Sequence, residues 1–280
     1  MDIVYNKGIV PYLGGGLGNQ LFVLAAGYSM SKQLDCPLYI LSVPPEVNKH
    51  NTYKIDYTVF YKYLGTITDI EQSEIFMYYL EMCGYTLENI NPRKCFEKWS
   101  IHDYVPGFVI RSYCQYYPEI GKFENEIRAN MLKGFQDIYK ERLIPKPNTA
   151  FLHVRRGDYV DFQHIHYLQP IEYYKKAINK LYELNPAIKH ILLFSDDIEW
   201  LQSNEFFKTL NNTSIYVNTN EIETFCEMIS CQGGAICANS TFSWWGAFLG
   251  TYGIRNPVVV PQKWHIDGPT DLFPKEWIVL

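Results

Sequence analysis

From residue 150 onward, short apolar runs alternate with stretches in which apolar residues recur every three or four positions. Ala150–Val154, His190–Phe194, Ser214–Val217, Ala235–Ala238 and Pro257–Val260 read as strands, the most apolar of them buried on both faces. Ile171, Tyr174, Ile178 and Leu181 mark one face of a helix over 170–184, with Pro170 placed to open it. Ile222, Phe225 and Ile229 do the same over 221–230. A short helix is predicted around Ile198–Leu201 and another over Ser243–Tyr252. Strand and helix alternate throughout, which predicts an α/β unit with a mainly parallel sheet covered by helices.

The first half is less regular. Ile9–Leu13 reads as a strand, Gly14–Gly18 as a turn, Gln20–Leu34 as a helix and Leu38–Leu41 as a second strand. Pro44–Leu64 is polar and Tyr-rich and reads as loop, and Asp69–Met82 reads as helical. Phe108–Tyr113 predicts a strand, and Ile120, Phe123, Ile127 and Met131 predict a helix over 118–135. Two prolines within Arg142–Asn148 mark a domain boundary. The predicted domains are therefore 1–145 and 146–280, consistent with 280 residues at roughly 150 per domain.

Polar clusters follow three of the predicted strands. Arg155-Arg156-Gly157-Asp158 follows the first, Ser195-Asp196-Asp197 the second, and Asn239-Ser240-Thr241-Phe242-Ser243 the fourth. Ligands of open parallel sheets bind at the carboxyl ends of the strands, so these clusters converge on one crevice. The arginines offer a planar fork for phosphate or carboxylate. Adjacent residues at a strand end cannot both face the crevice, so one arginine should bind ligand and the other serve structure. Ser240, Thr241 and Ser243 fall where a helix begins, a place that favours anions and helix caps alike. Asp196 and Asp197 can accept hydrogen bonds from a base or a ribose, or cap the helix that follows. His153 reads as a core histidine, but two residues before Arg155 it faces the same side.

Gly14-Gly15-Gly16-Leu17-Gly18-Asn19-Gln20 lies between a strand and a helix and lets a backbone approach a ligand closely. Asn19 stands where the dinucleotide fingerprint needs a glycine, and no Gly-Lys-Ser/Thr follows, which disfavours a nicotinamide oxidoreductase or a P-loop enzyme. No Asp-x-Asp is present, so the usual carboxylate clamp for a metal-bound diphosphate is missing. The residues alone thus predict a metal-independent crevice for a phosphate-bearing nucleotide.

Composition narrows the class. The net charge is -5, with 25 Lys+Arg against 30 Asp+Glu, which argues against nucleic acid as a partner. Seven cysteines at irregular spacings, with no Cys-x-x-Cys, predict free, mostly buried thiols and a cytoplasmic setting. The N-terminus lacks a basic stretch followed by an apolar one, and no apolar run reaches the roughly 18 residues of a membrane span. Tyr is abundant at 23 residues, suiting both cores and sugar contacts.

Four segments together resemble the α-1,2-fucosyltransferases of glycosyltransferase family 11: residues 15–22, 153–159, 194–200 and 239–247. Tyr113-Cys114-Gln115 and Pro261-Gln262-Lys263-Trp264 also fit. The resemblance implies a GT-B-like fold, with two Rossmann-like domains facing a cleft. It implies inverting, metal-independent transfer of L-fucose from GDP-β-L-fucose to the 2-hydroxyl of galactose in a glycan acceptor, with no cofactor. Arg155 would contact the diphosphate and stabilise departing GDP. His153 and one of Asp196 and Asp197 would help hold the guanosine. Asn239 precedes Ser240, Thr241, Phe242 and Ser243, which would line the phosphates and the base pocket. Gly18 and Asn19 would reach the phosphates and sugar from the N-terminal domain, with Asn19 counted beside Arg155 as catalytic. Asp158 would orient the arginine loop rather than take a proton. Asp161, His164 and His166 stay open as bases for the acceptor hydroxyl. The alternatives are the same fold with another GDP-sugar or acceptor hydroxyl, and a non-catalytic sugar-binding protein.

Overall fold

The computed structural model describes residues 8–41 apart from 12 and 14, 60–68, and 108–280 apart from 111–112, 165, 219, 251–255 and 266–270. The helix expected over Asp69–Met82 and most of the loop expected over Pro44–Leu64 lie outside these residues. The chain forms two compact units, Met1–Ile138 and Tyr139–Leu280.

In the first unit, β1 (Ile9–Pro11) leads to the long helix α1 (Leu17–Leu34), then to β2 (Tyr39–Leu41), β3 (Thr66–Thr68) and β4 (Phe108–Ile110). A short α2 (Tyr117–Ile120) and one 3-10 turn precede α3 (Glu124–Tyr139). β1 pairs in parallel with β4, and β2 with β3. A parallel bridge between Ile9 and Leu38 joins the two pairs. Leu17, Gly18 and every residue from Gln20 to Ser31 are buried. A helix covered almost all round is a core element, which is why its sequence lacks a polar face. It starts three residues before the expected Gln20, so Gly18 lies inside it rather than in the preceding turn.

The second unit runs β5 (Thr149–Val154), a 3-10 turn (Gly157–Tyr159), α4 (Ile171–Leu184), β6 (His190–Ser195), α5 (Ile198–Ser203), α6 (Glu205–Lys208), β7 (Thr213–Ile215), α7 (Glu221–Ser230), β8 (Gly234–Ile236), α8 (Thr241–Gly250), β9 (Val258–Val260) and β10 (Ile278–Val279). The six strands form one sheet, ordered β10-β9-β8-β5-β6-β7, with every pair parallel. Counted from β5, this is the doubly wound order 6-5-4-1-2-3, and it reverses direction between β5 and β8.

Alternation along β5 divides its side chains. Ala150, Leu152 and Val154 join Tyr174, Ala177, Ile178 and Leu181 of α4 in one core cluster. Phe151 and His153 take the opposite face, where Phe151 meets Phe194 edge-on at 6.1 Å. The Tyr173 hydroxyl donates to the Cys237 carbonyl at 2.6 Å, tying α4 to the end of β8. Trp244, Trp245 and Phe248 of α8 are fully buried, each side chain worth roughly 1.5–3 kcal/mol of apolar burial.

α7 occupies its expected span, and α4 and β6 differ from theirs by one residue. β8 stops at Ile236, before the expected Ala238, and α8 opens at Thr241, before the expected Ser243. Both shifts come from one turn, in which the Ser240 N–H donates to the Ala238 carbonyl at 2.8 Å. Among the described residues no helix is long and apolar enough to cross a membrane.

Candidate active site

The carboxyl ends of β5, β6 and β8 lie side by side at the reversal of the second sheet. Beyond β5 the chain turns sharply through Arg155 and Arg156, and the two guanidinium groups diverge. Arg155 is held between two carboxylates, with Nη2 at 2.6 Å from Asp158 Oδ1 and Nη1 at 2.9 Å from Asp196 Oδ2. Burial works against its charge, but Asp196 and Asp158 outweigh it and hold its pKa above the usual value. The second Asp196 oxygen accepts from the Arg156 backbone N–H at 2.8 Å, so one carboxylate fixes both the side chain and the loop. A Cβ at Gly157 would fall on the Asp196 carboxylate, so glycine is required there by close approach.

Arg156 turns to a separate task. Its Nε donates to Asp197 Oδ2 at 3.1 Å, and its guanidinium lies 4.0 Å over the Trp200 ring. Asp197 Oδ1 accepts from the Trp200 N–H at 3.0 Å and caps α5. Asp196 and Asp197 therefore meet the arginines first. The two adjacent arginines diverge: Arg155 stands between two carboxylates, and Arg156 is clamped onto α5.

At the end of β8, Asn239 is buried. Its Nδ2 donates to the carbonyls of Tyr167 at 2.8 Å and Trp264 at 3.0 Å. Its Oδ1 is buried without a hydrogen-bond partner. Its own carbonyl accepts from the Tyr159 hydroxyl at 2.9 Å. Ser240 is buried, Thr241 and Phe242 are half-buried, and together they open α8. The Ser243 hydroxyl donates to the Ser240 carbonyl at 3.2 Å and so faces the helix itself. What this turn offers a ligand is the positive end of α8 rather than the Ser243 side chain.

His153 sits behind these loops, with its ring 6.3 Å from that of Phe242. Burial, helped by the nearby Arg155 charge, pushes its pKa down to about 3, so the imidazole is neutral. Its Nδ1 is buried and has no hydrogen-bond partner.

Sequence reasoning overlooked Tyr159 as a structural link. Its hydroxyl reaches Asn239, its ring lies 5.2 Å from the Arg155 guanidinium, and its other neighbour is His166, stacked at 4.1 Å. Burial pushes its pKa up to about 12, which keeps it a neutral donor. It closes the last position of the 153–159 motif, the one signal that pointed to it. Burial also lowers the His166 pKa. Asp161 and His164 are exposed.

Gly18 and Asn19 belong to the first unit. Gly15 has a positive φ of 79°, turning the chain into α1. Gln20 Nε2 donates to the Gly15 carbonyl at 2.9 Å, and Gln115 Nε2 donates to Asn19 Oδ1 at 3.2 Å. Gln115 was not among the expected site residues. Among the described residues no group of three His, Cys, Asp or Glu side chains is placed to hold a metal ion.

Residues 108–280 match the family described as Glycosyl transferase family 11. The O-antigen biosynthesis glycosyltransferase WbnK of Escherichia coli is 28% identical over 309 residues, covering 96% of this chain and 99% of its own. An alpha-1,2-colitosyltransferase of Escherichia coli is 27% identical over 319 residues, covering 96% and 98%. Among solved structures, NodZ alpha-1,6-fucosyltransferase soaked with GDP-fucose aligns with a TM-score of 0.53 at 13% identity, covering 94% of this chain and all of its own. POFUT1 in complex with GDP-fucose aligns at 0.50 and 13%, covering 91% and 98%. At such identities the likeness is one of fold, and the fold is GT-B-like α/β.

Proposed function

The chain belongs to glycosyl transferase family 11, and from that premise we propose that it transfers L-fucose from GDP-β-L-fucose to the 2-hydroxyl of a galactose in a glycan, with inversion. One observation carries the reading: an arginine fork at the end of β5, beside the start of α8, at the reversal of a doubly wound sheet. That position suits a diphosphate.

In the proposed reaction the bond between sugar C1 and the diphosphate oxygen breaks, and its electron pair leaves with GDP. The acceptor oxygen bonds C1 from the opposite face and releases its proton. Positive charge grows on the sugar and negative charge on GDP. Arg155 and the first turn of α8 supply counter-charge without a metal, and Asp158 and Asp196 hold Arg155 ready. His153 and one of Asp196 and Asp197 contact the guanosine. Asn239 shapes the turn of Ser240, Thr241, Phe242 and Ser243 that lines phosphates and base. The family resemblance gives Gly18 and Asn19 a part in contacting phosphates and sugar. The orphaned buried atoms of His153 and Asn239 support a ligand, since such atoms cost stability unless something uses them. The proposed setting is the cytoplasm.

A second reading is favoured by the relative named for α-1,2 transfer of colitose: the same site with a different sugar on the nucleotide. Calorimetric titration with GDP, GDP-fucose, GDP-mannose and UDP in EDTA separates these cases. GDP and GDP-fucose should bind and UDP should not. Binding of GDP without GDP-fucose would favour the second reading. Binding of free glycan with no guanine nucleotide would overturn the transferase reading.

A further inference from the structure

Two segments of the second unit flank the proposed diphosphate position: the loop after β5, which carries Arg155, and the turn after β8, which opens α8. The register between these strands ends with Leu152 opposite Ile236, three residues before Arg155 and three before Asn239. Strand pairing therefore does not set the spacing of the two segments where a ligand would meet them. Tyr159 carries a hydrogen bond across this gap. Its hydroxyl donates to the Asn239 carbonyl at 2.9 Å, between residues 80 positions apart. The Tyr159 ring also lies 5.2 Å from the Arg155 guanidinium, and His166 stacks on it at 4.1 Å with the planes 5° apart.

The backbone around the ring is a folded turn. The Val160 N–H donates to the Arg156 carbonyl at 3.1 Å, and the Asp161 and Phe162 N–H groups donate to the Asp158 carbonyl at 3.2 and 3.1 Å. Tyr159 is 9% exposed, so a phenylalanine would fill the same volume with no polar atom to bury. The hydroxyl is explained by the bond it makes. A carboxylate at this position would add a third negative group to those of Asp158 and Asp196 on Arg155. A neutral phenol ties the two segments and leaves the guanidinium charge to a ligand. In the turn it reaches, Asn239 Oδ1 is buried without a hydrogen-bond partner, a polar atom that packing alone does not use.

We propose that Tyr159 is a positioning residue that fixes the spacing between the Arg155 guanidinium and the opening turn of α8, so that both meet one diphosphate together. This role rests on the function proposed above. An electrostatic site works through groups held at the right spacing before the ligand arrives.

The test compares Tyr159→Phe and Tyr159→Leu with wild type, each in the full chain. Tyr159→Phe keeps the ring and its stack on His166 and removes only the hydroxyl. Calorimetric titration should show GDP bound roughly threefold to tenfold more weakly, the scale of one hydrogen bond. Affinity for guanosine, read by competition with GDP, should hold, because guanosine carries no phosphate. Tyr159→Leu should weaken GDP further, since the ring beside Arg155 is lost as well. Unchanged GDP affinity in Tyr159→Phe overturns the proposal. Equal weakening of GDP and guanosine would mark Tyr159 as merely structural and overturn it too. GDP affinity no lower in Tyr159→Leu than in Tyr159→Phe would show that the ring does nothing for Arg155, with the same result. If the wild type binds no guanine nucleotide, the proposed function fails, and hydrogen exchange without ligand still tests the tie. Exchange should quicken over 155–160 and 239–244 in Tyr159→Phe and stay level over β6. Unchanged exchange in both segments would show that Tyr159 fixes neither.

Discussion

Arg155 is held by two carboxylates rather than by water, and its preorganisation is the main resource the proposed chemistry has. Arg155→Ala should lower kcat/KM by at least about 10²-fold, the scale for losing one preorganised donor in a transition state. Arg155→Lys should also be poor, because a lysine cannot span Asp158 and Asp196 with two separate N–H groups. Steady-state kinetics on both variants checks this, and near-normal turnover in either would contradict it. His153 makes a different prediction, about stability. Its folded pKa of about 3 lies below the 6.5 of an unfolded histidine, so the unfolded chain binds the extra proton between those values. The contribution is fully present above pH 6.5 and is lost as pH falls towards 3, by up to about 1.4 kcal/mol per pH unit. Urea midpoints at pH 7, 6 and 5 should fall more steeply for wild type than for His153→Gln. The arginine cluster and the histidine beside it were legible as residue types at a strand end. Their partners were not, because 40 positions separate Arg156 from Asp196 and only the β5–β6 pairing brings them together.

At the scale of elements, α5 illustrates how a short helix is kept. It has six residues, too few to be stable alone. Asp197 caps it and holds Arg156 against Trp200 at the same time. Asp197→Ala should cost about 1–2 kcal/mol, the upper range for losing a cap, and Asp197→Asn should recover most of it. Equilibrium denaturation measures both. Equal stability of Asp197→Ala and wild type would show that the cap is dispensable. α4 and α7 were legible from spacing because each buries one stripe, such as Tyr174, Ile178 and Leu181 of α4, whereas α6, with four residues, was missed. α1 was misplaced at its start because Gly18 reads as a turn residue, whereas burial on all sides admits glycine into a helix. β3 and β10 were missed for a plainer reason. Three residues and two residues carry no periodicity, and both strands exist through pairing with β2 and β9.

For the whole molecule, the sheet order decides where the site can be. β5, β6 and β8 are neighbours although some 40 residues lie between β6 and β8 in the chain, so three distant loops meet at one edge. The alternation of elements made a parallel sheet legible, but not which strands would be central. That depends on β8 returning to the far side of β5, where it packs against α4, and no local pattern shows it.

The carboxylates around the arginines have a consequence for competition. Arg155 and Arg156 are surrounded by Asp158, Asp196 and Asp197, leaving the cluster with one negative charge in excess. The chain as a whole is also negative, at -5. A small anion arriving here finds each guanidinium already engaged, and must displace a carboxylate with nothing else to hold it. In the proposed function a nucleotide displaces the same carboxylate because its base and sugar bind elsewhere and offset the cost. Inorganic phosphate and sulfate should therefore be poor inhibitors, weaker by orders of magnitude than GDP in a competition assay. On the proposed function, the cluster is a filter that favours a nucleotide over a bare anion.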